Sequence, residues 1–313
     1  MKESGLMKKK TVAAIALLGG VVTGIASVCA IDIACKKDDK KQDKPIKNLD
    51  DETIDWLNQQ EFIDLEITSD DHLKLRGHLL LNEDKNSNRL LIAIHGYRSY
   101  SYKEYSSYIR FYHDLGFHIL LPDNRAHGES EGKYIGFGWL DRLDCMKWID
   151  TMKKYFDKDL QIVLHGISMG SATVLMASGE KLPDDVKCII SDCGFTSVYE
   201  QFKHVMSKSP ITSKIILPIA TLFSKQRVGY NFKEASALKQ VQKSHTPTLF
   251  IHGDQDDYVP TYMVHELYNA CSAPKDLLIV EGAKHANSYF VNKELCEKTI
   301  TEFIHNYVEF NNS

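Results

Sequence analysis

No Cys-x-x-Cys pair occurs in this sequence of 313 residues, although it holds seven cysteines, at 29, 35, 145, 188, 193, 271 and 296. Five of them lie beyond residue 55. An odd number excludes a fully paired disulfide framework, and most of these cysteines read as small apolar side chains. A surplus of positive charge is also missing: 38 Lys and Arg stand against 42 Asp and Glu, a net −4. Residues 1–35 carry four lysines against Glu3 and Asp32, so the remainder stands at −6, which excludes a nucleic-acid surface. No internal repeat is apparent. With 43% hydrophobic and 26% charged residues, the chain is neither disordered nor fibrous, and its length supports one substantial core plus an appendage.

Two further motifs fail for want of one residue each. His265-Glu266-Leu267-Tyr268-Asn269 begins like a zinc-protease helix and ends in Asn where the second His ligand is needed. Gly136-Phe137-Gly138 lacks both the third glycine and the preceding strand of a nucleotide loop. No metal and no cofactor are expected.

Charge is absent from Thr11 to Ile31, directly after Lys8-Lys9-Lys10. As a helix this run would span roughly 31 Å, a bilayer core, so it predicts a single membrane anchor within residues 1–35. A cleaved signal peptide ending at Val28-Cys29-Ala30 is the alternative, with secretion as its consequence, but the run is longer than such segments usually are. Lysines lie on both sides, so the positive-inside rule leaves orientation open; the commoner arrangement puts the catalytic domain outside the cell membrane. Residues 36–55, rich in Lys and Asp, read as a solvated tether.

The folded domain is expected over residues 56–313. Phe62–Ile67 and Leu73–Leu81 alternate apolar and polar residues, predicting an antiparallel hairpin at a sheet edge. Beyond them come continuous apolar runs, Leu90–Ile94, His118–Leu121, Gln161–Leu164, Cys188–Ser191, Thr248–Ile251 and Leu277–Val280. Helical stretches separate them, at Lys103–Leu115, Leu140–Tyr155, Met169–Ser178, Tyr262–Ala270 and Lys293–Val308. That alternation predicts a mostly parallel sheet with helices on both faces. The interval from about 193 to 246 is too long for a loop and holds the apolar block Ile215–Phe223, between Lys214 and Lys225; it reads as a small helical cap.

The chemistry centres on His165-Gly166-Ile167-Ser168-Met169-Gly170, a buried run, a sharp turn and a helix start. Two glycines flank Ser168 because a turn that lifts a hydroxyl above a sheet brings backbones too close for side chains. Ser168 is the candidate nucleophile. His285, on the loop after the last apolar run, is the candidate base, and Asp254, Asp256 and Asp257, after the preceding run, compete for the acid that orients it. The backbone N–H groups of Met169 and Tyr97 are the candidate oxyanion donors. Asp123, Arg125 and His127 read as a hydrogen-bonded turn, and Asp141, Arg142 and Asp144 as a charged helix start.

These motifs, His95-Gly96-Tyr97, the turn from Pro122 to Gly132, the Ser168 turn, residues 252–260 and Gly282–His285, resemble the α/β-hydrolase superfamily. Tyr134–Asp144 and Ser191–Ser197 resemble its bacterial, often membrane-anchored, serine aminopeptidase-like and Bem46-like branch. The resemblance covers roughly residues 60–310 and implies an α/β-hydrolase fold, with Asp256 as the triad acid through the pattern His-Gly-x-x-Asp-x-x-Val-Pro. It implies a serine hydrolase acting on a small-molecule or peptide acyl substrate: an esterase first, a peptidase or amidase second. A binding protein without turnover is the remaining alternative.

Overall fold

The computed structural model describes residues 22–37 and 49–310. The apolar runs become strands and the amphipathic stretches helices. In chain order they are α1 (residues 22–35), α2 (Asp51–Asn58), β1 (Phe62–Thr68), β2 (Lys74–Leu80), β3 (Arg89–Ile94), α3 (Ser101–Asp114), β4 (His118–Pro122), α4 (Asp141–Phe156), β5 (Gln161–Ile167), α5 (Met169–Ala177) and β6 (Val186–Asp192). Then follow α6 (Val198–Val205), a π-helical turn (Thr212–Ile216), α7 (Leu217–Val228), α8 (Ala237–Val241), β7 (Thr248–Gly253), α9 (Tyr262–Ala270), β8 (Lys275–Val280), α10 (Ser288–Val291) and α11 (Lys293–His305).

The eight strands form one sheet in the order β1-β2-β4-β3-β5-β6-β7-β8. The β1–β2 hairpin forms one antiparallel edge, with Phe62 opposite Leu80, and β2 also pairs antiparallel with β4. From β4 onward every pairing is parallel. Alternate residues of the central strands serve opposite faces. Leu91, Ala93, Val163, Ile190 and Leu249 pack with Tyr105, Tyr112, Ile300 and Phe303 of α3 and α11. Leu90, Ile92, Leu164 and Ile189 pack with Trp148, Ile149 and Val174 of α4 and α5 on the other face. Every residue of α5 is buried, which is why its sequence is apolar on all sides. The chain connection reverses direction around β3, leaving a crevice at the carboxyl ends of β3 and β5, where ligands settle in open α/β sheets.

The N-terminal segment departs from expectation. Residues 11–21 of the run read as an anchor lie outside the described residues, and among the described residues no helix is long and apolar enough to cross a membrane. Instead, the second half of α1 is docked on the catalytic domain. Ser27, Ile31 and Cys35, one stripe at four-residue spacing, are buried, Ile31 and Cys35 in the cluster that holds Leu217, Ala220 and Tyr230. Asp32 makes a two-pronged pair with Arg227 of α7, at 2.8 and 2.5 Å. The stretch expected to be a tether is also shorter than its sequence suggests: Lys37 donates to the Gly128 and Ser130 carbonyls, and Asp50 caps α2 by accepting from the Thr53 N–H. Residues 38–48 lie outside the described residues.

Candidate active site

Chain reversal at the end of β5 sets Ser168, itself largely buried, at the turn into α5. Its φ of 56° and ψ of −112° lie in a strained region for a residue with a side chain, the geometry of a nucleophile turn. The flanking glycines are obligatory: a Cβ on Gly166 would collide with the Gly170 carbonyl, and one on Gly170 with the Ile94 carbonyl. The Ser168 N–H donates to the Asp192 carbonyl at 2.8 Å, which ties the turn to the end of β6.

Three loops bring partners to this hydroxyl. Ser168 Oγ lies 2.8 Å from His285 Nε2, and His285 Nδ1 lies 2.7 Å from Asp256 Oδ2. The other Asp256 oxygen accepts the N–H groups of Tyr258, at 3.0 Å, and Val259, at 2.9 Å. Asp254 is turned elsewhere, accepting the Gly282 N–H at 2.7 Å, and Asp257 is exposed. Of the three acids that spacing left open, Asp256 is therefore the one in contact with His285. Burial raises the Asp256 carboxyl, but hydrogen bonds from His252 and His285 outweigh it and hold the group well below the usual carboxylate range. It is an anion whenever the fold is intact near neutrality.

The loop carrying Tyr97 lies against the nucleophile: a Cβ on Gly96 would stand 3.4 Å from the Ser168 Cβ. Two buried histidines fix it. His95 bonds the Gly96 carbonyl through Nδ1 at 2.8 Å and accepts the Asn124 N–H through Nε2 at 2.9 Å. His127 bonds the Arg125 carbonyl at 2.9 Å and accepts the Arg98 N–H at 3.0 Å. Burial pushes His95 down to about 4 and His127 to about 3, so each ring is neutral and can both donate and accept. Glu104 of α3 accepts the Gly96 N–H at 3.2 Å, and burial raises its carboxyl. Tyr97 thus sits on a loop fixed beside Ser168, and Met169 opens α5 directly after it.

Several supporting groups were not singled out from sequence. His252 Nε2 sits 2.9 Å from the Val259 carbonyl and 3.2 Å from Asp256 Oδ2, steadying the acid loop. Asp192 is buried at the end of β6, and burial pushes its carboxyl up to about 6 against the pull of His252 and His285. Its only sequence signal was its place at the end of an apolar run. The charged start of α4 at Asp141 and Asp144 is buried: Asp144 pairs with Arg125 at 2.7 Å, and Asp141 accepts the Gly138 N–H at 2.8 Å. Arg125 also reaches Asp71, at 2.8 and 3.1 Å, while Asp123 accepts from the Ser101 and Glu129 N–H groups. These side chains brace the turn after β4.

One trio of potential metal ligands clusters among the described residues, Cys193, Asp256 and His285. Its chemistry does not suit an ion. Burial holds the Cys193 thiol well above its ordinary value, and the other two groups are bonded to each other.

The model of the prolyl oligopeptidase family matches residues 103–310. The chain belongs to that family. It is a serine α/β-hydrolase of the Bem46-like branch. YqkD of Bacillus subtilis is 36% identical over 200 residues, which are 64% of this chain and 66% of that protein, so just under two thirds of YqkD is spanned. Protein bem46 of Schizosaccharomyces pombe is 24% identical over 218 residues, 69% of this chain and 67% of its own. The fold is that of the Pyrococcus furiosus esterase Pf2001, with a TM-score of 0.65 at 24% identity, covering 86% of this chain and 98% of that one.

Proposed function

We propose that this family member hydrolyses carboxylic esters through an acyl-enzyme, with Ser168, His285 and Asp256 as its triad. The observation that carries the reading is the unbroken relay from Ser168 Oγ through His285 to Asp256, at 2.8 and 2.7 Å. In this scheme the Ser168 hydroxyl attacks the acyl carbonyl as its proton passes to His285 Nε2. Asp256 holds His285 Nδ1–H and stabilises the imidazolium. The carbonyl oxygen becomes an oxyanion received by the Tyr97 and Met169 N–H groups. His285 then protonates the departing alcohol, and a water activated by the same ring releases the acid.

An apolar acyl group is favoured by apolar neighbours of the turn, since Met169 follows Ser168 directly and Phe137 lies 5.1 Å from the Tyr97 ring, both in one buried cluster. The second reading, peptide or amide cleavage by the same residues, is favoured by the family's peptidase name. A fluorophosphonate probe and a series of p-nitrophenyl esters against aminoacyl anilides, on the full chain and on Ser168→Ala, test both. We expect labelling and ester turnover that Ser168→Ala abolishes, a loss of roughly 10⁴- to 10⁶-fold. Anilide turnover of comparable efficiency selects the peptidase, and unlabelled wild type defeats the triad.

The reading extends to location. The uncharged residues 11–21 that precede α1 support a tether that holds the domain over residues 56–313, with its cap at about 193–246, on the outer side of the cell membrane. Protease treatment of intact cells tests it: release of the domain is expected, and full protection overturns the outward orientation.

A further inference from the structure

The surface formed by α1 and α7 is apolar where water should make it polar. Toward the domain α1 buries Ser27, Ile31 and Cys35, and away from it the helix presents Val22, Ile25, Cys29 and Ile33, with Ile33 73% exposed. A helix apolar on both faces is not a water-facing element. Beside it, Ser27 Oγ meets the Ile216 carbonyl at 3.3 Å, and Asp32 is clamped to Arg227, so α7 runs alongside α1 in the same sense. The outward residues of this neighbour are Ile215, Leu222 and Phe223, with Leu222 75% exposed. The two apolar stripes thus lie on laterally bonded neighbours. Exposed Lys208, Lys214 and Lys225 flank the second stripe in sequence.

We propose that this α1–α7 face lies on a lipid bilayer bearing anionic headgroups. Two observations choose that occupant. The uncharged run that begins at Thr11 continues directly into α1, so the chain arrives at this face from its most apolar segment. The exposed lysines complement anionic lipid, and the charges between the two helices, Asp32 and Arg227, neutralise each other, the pattern of an interfacial surface. The consequence reaches the candidate site, because the end of α1 is bonded to the loop beside Ser168: Tyr97 Oη donates to the Ala34 carbonyl and Arg98 to the Ile33 carbonyl, each at 2.7 Å. A docked face therefore sets the Tyr97 loop against the membrane surface. This goes beyond a tether, which could hold the domain at any distance.

The test uses the full chain in vesicles of equal parts phosphatidylcholine and phosphatidylglycerol. Among the described cysteines Cys29 alone is exposed, so Cys29→Ser removes the competing thiol. An environment-sensitive nitrobenzoxadiazole label is then placed through Leu222→Cys, or through Leu295→Cys on α11, which packs on the opposite face of the sheet. The expected result is a blue-shifted emission that rises several-fold at position 222, quenched by lipids spin-labelled near the headgroup, with no change at 295. The double change Leu222→Glu, Phe223→Glu should abolish the same signal read from Ile215→Cys. Vesicle-bound protein whose two labels stay equally wet overturns the docking while leaving the tether intact; protein that fails to float with vesicles overturns both. A signal at 222 that disappears as protein is diluted at constant lipid marks a second copy as the occupant and overturns the proposal. Fluorophosphonate labelling of each variant reports the serine chemistry separately.

Discussion

Asp256 and Asp254 are two residues apart on one loop, carry the same charge, and do different things. Asp256 is buried and shared between His285 and two backbone donors, while Asp254 closes its loop through Gly282. Asp256→Asn is expected to lower kcat on a p-nitrophenyl ester by about 10⁴-fold with the fold intact, because the amide no longer selects the productive tautomer of His285. Asp254→Asn should leave kcat within about threefold, since its bond is to the Gly282 N–H and not to His285. Equal losses would sink the assignment. Residue type and order made Ser168 and His285 legible in the sequence. The acid was not separable by spacing, because a loop can aim any of three neighbouring carboxylates, and the family pattern supplied what geometry alone determines. Asp141 and Asp144 do stand at a charged helix start, but the partner that lets Asp144 be buried, Arg125 on a distant turn, is not visible in the sequence.

Among the elements, β3 to β7 were legible because a strand buried on both faces must be apolar without interruption. Helix α1 was not. An apolar stripe pressed on protein and one facing lipid have the same composition, so nothing in Thr11–Ile31 distinguished a membrane span from a helix whose second half docks beside the candidate site. The docking has a measurable strength. Ile31 is almost wholly buried, and a side chain of its size contributes roughly 1.5–3 kcal/mol on burial. Ile31→Asp should therefore release α1, read as faster amide exchange across residues 22–35, with the sheet unchanged. Asp32→Asn should do far less, about 1 kcal/mol at most, because its pair with Arg227 is part-exposed. If Asp32→Asn frees the helix and Ile31→Asp does not, the ion pair and not the packing holds α1.

For the molecule as a whole, buried groups that resist ionisation set the response to acid. His95, His127 and His165 are held neutral by burial, at about 4, 3 and 3. In the unfolded chain each takes up a proton near pH 6.5, so between pH 6.5 and about 4 the unfolded state binds more protons and stability falls with pH. Asp141 and Asp192, pushed up to about 6 by burial, act oppositely, since over that window the folded state binds their protons first and gains. His127→Gln keeps an acceptor for the Arg98 N–H while removing one titration. Urea midpoints should then show a pH 7 to pH 5 loss smaller than wild type by about 2 kcal/mol. An unchanged loss would mean that His127 is protonated in the fold.

The bonds from Tyr97 and Arg98 to the carbonyls at the end of α1 bear on how this protein is handled at the bench. Trimming an apolar N-terminus is the usual route to a manageable preparation, and a start at residue 49 would look harmless on a hydropathy plot. Such a truncation removes a brace from the loop that presents the Tyr97 N–H, and it uncovers Leu217, Ala220 and Tyr230, which pack in the cluster that holds Ile31 and Cys35. A well-folded, poorly active and sticky preparation would then report on the cloning boundary and not on the enzyme.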